Sequence, residues 1–292
     1  TAMGRPRLGI AFGSGSARGW AHIGVLRALQ QAGIEPDLVC GTSIGAFVGA
    51  AYASGDLDKL ESWVTSLGRR EVLGFFDVSM AGGLIKGEKL LAFASSTFLD
   101  GSFADLERPF ACVATDLASG REIWLREGRV ADAVRASIAL PGLFAPHWLD
   151  GRHLVDGGLV NPVPVSLCRA LGADLVIAVD LGMDVIGQRF RQAEASAGRQ
   201  SGWRRQVGRW LGQGGGPAES FRPSLADVLT NSIAIMQGRI SRSRLAGEPA
   251  DVLIAPRLGR LGLLDYHRGQ DAIGAGRSAT EHMLPHLRAL LD

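Results

Sequence analysis

Leu8–Phe12 is a short apolar run that ends in glycines and reads as a buried strand. In WAHIGVLRALQQAG, Ile23, Leu26, Leu29 and Gln30 recur at helical spacing, and the pattern stops at Gly33, a suitable C-cap. Leu38–Cys40 is a second apolar run, and Ile44–Ser54 follows as a helix rich in Gly and Ala. Strand, Gly-rich turn, helix, strand, sharp turn, helix is a βαβα opening. It predicts a parallel sheet with a right-handed crossover. Further along, the pattern predicts helices at Asp56–Leu67, Glu88–Phe98, Val130–Ala139 and Val165–Leu171. It predicts strands at Phe110–Thr115, Glu122–Leu125, His147–Leu149, His153–Val155 and Leu175–Val179. After residue 185 the pattern breaks. Residues 185–223 are rich in Arg, Gln, Gly and Ser and read as an exposed excursion. Order returns with a helix over Leu225–Arg244, a strand at Val252–Ala255 and a pair of helices from about Asp265 to Leu291. A single domain over residues 5–292, interrupted by one excursion, is the economical description. Thr1–Gly4 reads as a cloning remnant and is left out of the fold reading.

The totals narrow the class. A chain of 292 residues, 46 % of them hydrophobic, supports a packed core. A net charge of +2 argues against nucleic acid as a partner. The three cysteines, Cys40, Cys112 and Cys168, are far apart and each lies in an apolar run. They form neither a disulfide framework nor a zinc cluster, and they fit a reducing, cytoplasmic compartment. No segment is apolar for long enough to span a bilayer, and the N-terminus has no signal-peptide core.

Candidate chemistry centres on Gly41-Thr42-Ser43-Ile44-Gly45, a G-x-S-x-G between a strand and a helix. That setting projects a serine hydroxyl at the sheet edge, beside a helix N-terminus that favours developing negative charge. Gly13–Gly19 is a second anion-friendly turn between strand and helix. Its G-x-G-x-x-x-G spacing departs from a dinucleotide fingerprint, the acid expected after the second strand is absent, and no Gly-Lys-Ser/Thr is present. Two turns facing one crevice, one with a nucleophile and one with N–H donors, is the geometry of acyl transfer. By chain order His147, His153 and His267 are candidate bases for Ser43. Asp156, at the end of a strand in LVDGGLVNPVPV, is the most turn-like acid and could serve as base directly. Capping a turn is the commoner fate of such an Asp.

Taken together, GSGSARGWAHIGVL, GTSIG, RASIALPGLFAP and DGGLVNPVPV resemble, in order, the blocks of the patatin-like phospholipase family. The closest likeness is to its bacterial branch similar to neuropathy target esterase. The resemblance implies a three-layer α/β/α fold with a mostly parallel central sheet. It implies a Ser43–Asp156 dyad, an oxyanion loop of Ser14, Gly15 and Ser16 braced by Arg18, and supporting glycines Gly41, Gly45, Gly157 and Gly158. It implies hydrolysis of phospholipid or lysophospholipid acyl esters with no metal and no cofactor. One departure stands out. The family loop is often three glycines in a row, and here Ser14-Gly15-Ser16 takes their place.

The excursion interleaves Arg189, Arg191, Arg199, Arg204, Arg205 and Arg209 with Phe190, Trp203 and Trp210. This composition fits peripheral docking on an anionic bilayer and equally a solvated loop. The apolar stripes of the C-terminal helices serve either as core or as a homodimer face, and periodicity leaves both open. A catalytically weak patatin-like scaffold, acting as a regulatory protein-binding module, is the rival reading.

Overall fold

The computed structural model describes residues 5–75, 77–78, 85–86, 97–183 and 225–291. The 185–223 excursion, with its arginines and tryptophans, lies outside these residues, as does most of the helix expected over Glu88–Phe98. The strands are β1 (Leu8–Phe12), β2 (Leu38–Thr42), β3 (Asp77–Val78), β4 (Ile85–Lys86), β5 (Phe110–Asp116), β6 (Glu122–Leu125), β7 (His147–Leu149), β8 (Arg152–Asp156), β9 (Leu175–Val179) and β10 (Val252–Ile254). The helices are α1 (Ala21–Gln31), α2 (Ile44–Ala53), α3 (Leu57–Ser66), α4 (Arg69–Phe75), α5 (Val130–Ser137), α6 (Val165–Ala170), α7 (Leu225–Gly247) and α8 (Gly269–Leu291). Among the described residues, no helix is long and apolar enough to cross a membrane.

An eight-stranded sheet runs in the order β10-β9-β1-β2-β5-β8-β7, with β6 paired to β5. The pairs from β10 to β5 are parallel, and those of β5 with β6 and β8 and of β7 with β8 are antiparallel. The central strands are buried along their whole length, and alternate residues enter different cores. Ile10, Phe12, Val39, Phe110 and Cys112 join the core with α1, α2, α3, α5 and α8. Ala11, Leu38, Cys40, Ala111 and Val113 join a second core with α6. A period of two that is apolar in both phases is the signature of a sheet covered on both faces. The layering is therefore helix, sheet, helix, as the family resemblance implies.

The register along β5 positions the site. Cys112 and Val113 pair with both β2 and β6, so those strands flank opposite edges of β5. Ala114 and Thr115 pair with both β6 and β8, so β8 shares the edge used by β2. Strand β2 runs up that edge and stops where Thr42 faces Val113. Strand β8 runs the other way and stops where Asp156 faces Ala114. Two strands therefore meet head-on along one template, with the residues that follow their ends at the junction.

Two expectations are revised. The C-terminal pair of helices is one helix, α8, preceded by a 3-10 turn at Tyr266–Arg268; Pro285 lies inside it. Strand β2 extends two residues beyond Cys40, because Gly41 and Thr42 keep their pairing with β5.

Candidate active site

Ser43 is the one residue between β2 and α2, and it sits at φ 57, ψ −126. A positive φ in a residue with a Cβ costs on the order of 1–3 kcal/mol and persists only where the surroundings impose it. Those surroundings are specific. The Ser43 N–H donates to Ser137 Oγ at 2.9 Å. Thr42 Oγ1 donates to the Asn161 carbonyl at 2.9 Å. Helix α2 turns back so tightly that a Cβ on Gly41 would lie 2.4 Å from Gly45 O. A Cβ on Gly45 would lie 2.3 Å from Phe12 O, against backbone that cannot swing away. These two positions are thus glycine because the turn leaves no room for more.

Asp156 terminates β8 and is completely buried. Its Oδ2 accepts the Ser43 hydroxyl at 2.5 Å, and its Oδ1 accepts the Gly158 N–H at 2.7 Å. Its own N–H donates to Ala139 O at 3.0 Å, and its carbonyl accepts Thr115 Oγ1 at 2.8 Å. The end of α5 therefore holds both residues, through Ser137 for Ser43 and Ala139 for Asp156. Gly157 runs so close to β5 that a Cβ there would lie 2.2 Å from Val113 O. Burial pushes the Asp156 carboxyl up to about 6, against the opposing hydrogen bonds from Ser43 and Gly158.

The histidines take other places. His147 lies 3.5 Å from Asp132, His153 stands exposed against Trp148, and His267 accepts from Arg69 Nε at 3.2 Å. His22 is fully buried, and its Nε2–H donates to the Gly13 carbonyl at 2.8 Å. Burial lowers its pKa to about 4, against that bond, so it is a neutral strut beneath the loop.

The loop itself departs from expectation at one position. The Ser14 N–H donates to Pro162 O at 2.9 Å, so Ser14 leaves the set of free oxyanion donors. Its hydroxyl faces Gln237 Oε1 at 3.5 Å. Among the described residues, no carbonyl takes the N–H of Gly15 or Ser16. Ser16 has φ 53, the left-handed conformation that glycine adopts freely. Arg18 is buried, and its Nε donates to Leu261 O at 2.9 Å.

Ser14, Gly15, Ser16, Arg18 and Ser43 all line one cavity of about 1080 Å³, its open mouth included. Asp156 lies behind Ser43, outside that lining. Trp20, Phe47, Trp63, Ile138 and Leu181 make most of the wall apolar. A polar corner carries Gln237 and Asp180, the latter accepting Ser241 Oγ at 2.7 Å and Gly182 N at 2.8 Å. Sequence reasoning missed Ser137, Asn161, His22 and Gln237 as supports. Ser137 and Asn161 fall within the blocks RASIALPGLFAP and DGGLVNPVPV, but only the tertiary contacts show what they hold. Among the described residues, no three His, Cys, Asp or Glu side chains gather as a metal site.

A strained serine at a strand-to-helix turn, hydrogen-bonded to a buried carboxylate on a sheet covered on both faces, has the geometry of a nucleophile elbow in an α/β protein. A family model described as patatin-like phospholipase matches residues 10–169. An NTE family protein of Mycobacterium tuberculosis is 33% identical over 330 aligned residues, spanning 96% of this chain and 91% of that protein. Lysophospholipase nte1 of Emericella nidulans is 29% identical over 290 residues, spanning 97% of this chain and 18% of that protein. The crystal structure of VipD from Legionella pneumophila superposes with a TM-score of 0.61 at 14% identity, covering 97% of this chain and 67% of that one. At that identity the likeness is one of fold. The chain belongs to the patatin-like phospholipase family.

Proposed function

We propose that the protein is a serine acyl hydrolase that cleaves acyl esters of phospholipids or lysophospholipids through Ser43 and Asp156. The observation that carries this reading is the 2.5 Å bond from Ser43 Oγ to a fully buried carboxylate. A carboxylate held near pH 6 by burial is a stronger base than an ordinary aspartate and is still ionised at neutral pH. Asp156 accepts the Ser43 proton as Oγ attacks the ester carbonyl carbon. The carbonyl oxygen gains the charge and is held by the N–H groups of Gly15, Ser16 and Ile44. Collapse expels the alcohol, which leaves with the proton from Asp156. Water then attacks the acyl-serine and Asp156 takes its proton; on collapse that proton returns to Ser43 Oγ and the fatty acid departs, leaving Ser43 and ionised Asp156 as at the start. The apolar cavity wall suits an acyl chain, and the relatives named lysophospholipases support a single-chain lipid substrate.

Labelling with a fluorophosphonate, read by intact mass, tests the nucleophile. Wild type takes one adduct and Ser43→Ala takes none. Absence of labelling on both, with detergent or vesicles present, would move the protein to the scaffold reading.

The lipid reaches the site from a bilayer surface in this reading. Met183, Ile235, Met236 and Leu264 are exposed apolar side chains. Each neighbours in sequence a residue lining the cavity, namely Gly182, Ala234, Gln237 and Leu263. Replacing Met183 and Leu264 together by serine weakens co-sedimentation with phosphatidylglycerol vesicles. Unchanged sedimentation removes this contact from the account.

A further inference from the structure

The loop at 14–20 is fastened along its length to residues 261–266, a segment outside the stretch matched by the family model. The Ala17 N–H donates to Leu263 O at 3.1 Å, and Arg18 Nε donates to Leu261 O at 2.9 Å. Trp20 Nε1 donates to Tyr266 O at 3.2 Å. Ser16 Oγ lies 2.7 Å from Leu263 O and 2.7 Å from the Tyr266 hydroxyl. A serine hydroxyl has one proton, and a carbonyl can only accept. Ser16 therefore donates to Leu263 O, and the Tyr266 hydroxyl donates to Ser16. Burial, with the nearby Asp156 charge acting in the same direction, pushes the Tyr266 phenol up to about 12, so this donor keeps its proton at any working pH.

This chain of bonds bears on the departure at residue 16. Glycine reaches a φ of 53 at no steric cost, and serine does not. A side-chain anchor can hold the serine where glycine would rest unaided.

We propose that Tyr266 is a positioning residue for the oxyanion loop: through the Ser16 hydroxyl it holds the Ser16 amide in the left-handed conformation that presents it to the substrate carbonyl. The inference rests on the reading of Ser43 as nucleophile and of Gly15 and Ser16 as oxyanion donors. Tyr266 lines the same cavity as Ser43, and its proposed action is through Ser16.

Steady-state kinetics on a soluble p-nitrophenyl ester, with full-length wild type, Y266F, S16G, S16A and the Y266F/S16G double variant, tests it. Y266F lowers kcat by about tenfold and moves KM by less than about twofold, since only a transition-state contact is displaced. S16A, which keeps the Cβ and loses the anchor, falls below S16G, the reverse of what added flexibility alone would produce. Whatever turnover S16G retains, adding Y266F lowers it by less than about twofold, because the two changes share one bond. Equal losses from Y266F in both backgrounds, or a loss confined to KM, would overturn the brace while leaving the hydrolase reading intact. A wild type without ester turnover, or turnover that survives Ser43→Ala, would overturn both readings together. Thermal midpoints of the same proteins show whether any kcat loss merely follows unfolding.

Discussion

Asp156→Asn lowers kcat on a soluble ester by about 10³-fold or more, with KM near the wild-type value. The substitution is close to isosteric. The asparagine oxygen still accepts the Gly158 N–H, while an amide nitrogen replaces the oxygen that accepts the Ser43 proton. No histidine stands ready to take over. His22 is buried with Nε2 bound to Gly13 O, and the other candidates lie against Asp132, Trp148 and Arg69. On the proposed mechanism the same carboxyl sets the pH profile of wild type. Because the base works ionised and titrates at about 6, kcat/KM is flat above that pH and falls roughly tenfold for each pH unit below it. Retention by Asp156→Asn of more than about a tenth of wild-type kcat, or a profile unchanged between pH 7 and 5, would remove Asp156 as base.

The same substitution stabilises the fold above pH 6. Asp156 has its carboxyl raised from 3.8 to about 6, so between these values the folded state binds more protons than the unfolded state. Stability from this group is therefore largest below pH 3.8 and declines as pH rises to about 6, after which the deficit is constant. The deficit amounts to about 3 kcal/mol. An asparagine carries no charge to bury and escapes it. Urea unfolding at pH 7.5 is expected to show Asp156→Asn more stable than wild type by on the order of 2–3 kcal/mol, an advantage that shrinks to near zero at pH 4. His22 works in the opposite sense. Its pKa is lowered from 6.5 to about 4, so its contribution is present above pH 6.5 and lost as pH falls to about 4. In wild type the two groups offset each other across this window; in the variant only the histidine remains, and acidification costs it more. An Asp156→Asn protein less stable than wild type at pH 7.5 would mean that the carboxylate is a structural tie.

The sequence announced what is local. Continuous apolar runs revealed the covered strands, and the glycines around Ser43 revealed the elbow, because steric exclusion acts over a few residues. The four ordered blocks carried the family. What stayed hidden is long-range. Ser137 reaches Ser43 across 94 positions and Tyr266 reaches Ser16 across 250, and neither has a flanking pattern that says so. The Ser14 amide looked available until the fold brought the Pro162 carbonyl to it. Strands of two residues, such as Asp77–Val78 and Ile85–Lys86, are too short to show alternation. At the C-terminus the pattern predicts a pair of helices, but packing against α1 and α3 carries one helix through Gly274, Gly276 and Pro285.

The head-on meeting of β2 and β8 has a consequence for how the family can vary. Ser43 and Asp156 are 113 positions apart, yet their separation is measured off by adjacent rungs of β5. The loops between the end of α2 and the start of β8 can lengthen, shorten or acquire new elements without altering that measurement, provided β5 keeps its register and the end of α5 keeps its hold on both residues. A single-residue slip of β8 on β5 would instead turn every alternate side chain over and swing the carboxylate away from the hydroxyl. Enzymes on this plan are thus free to diverge in their substrate-facing insertions, while the ruler strand is the part that cannot tolerate an added or missing residue.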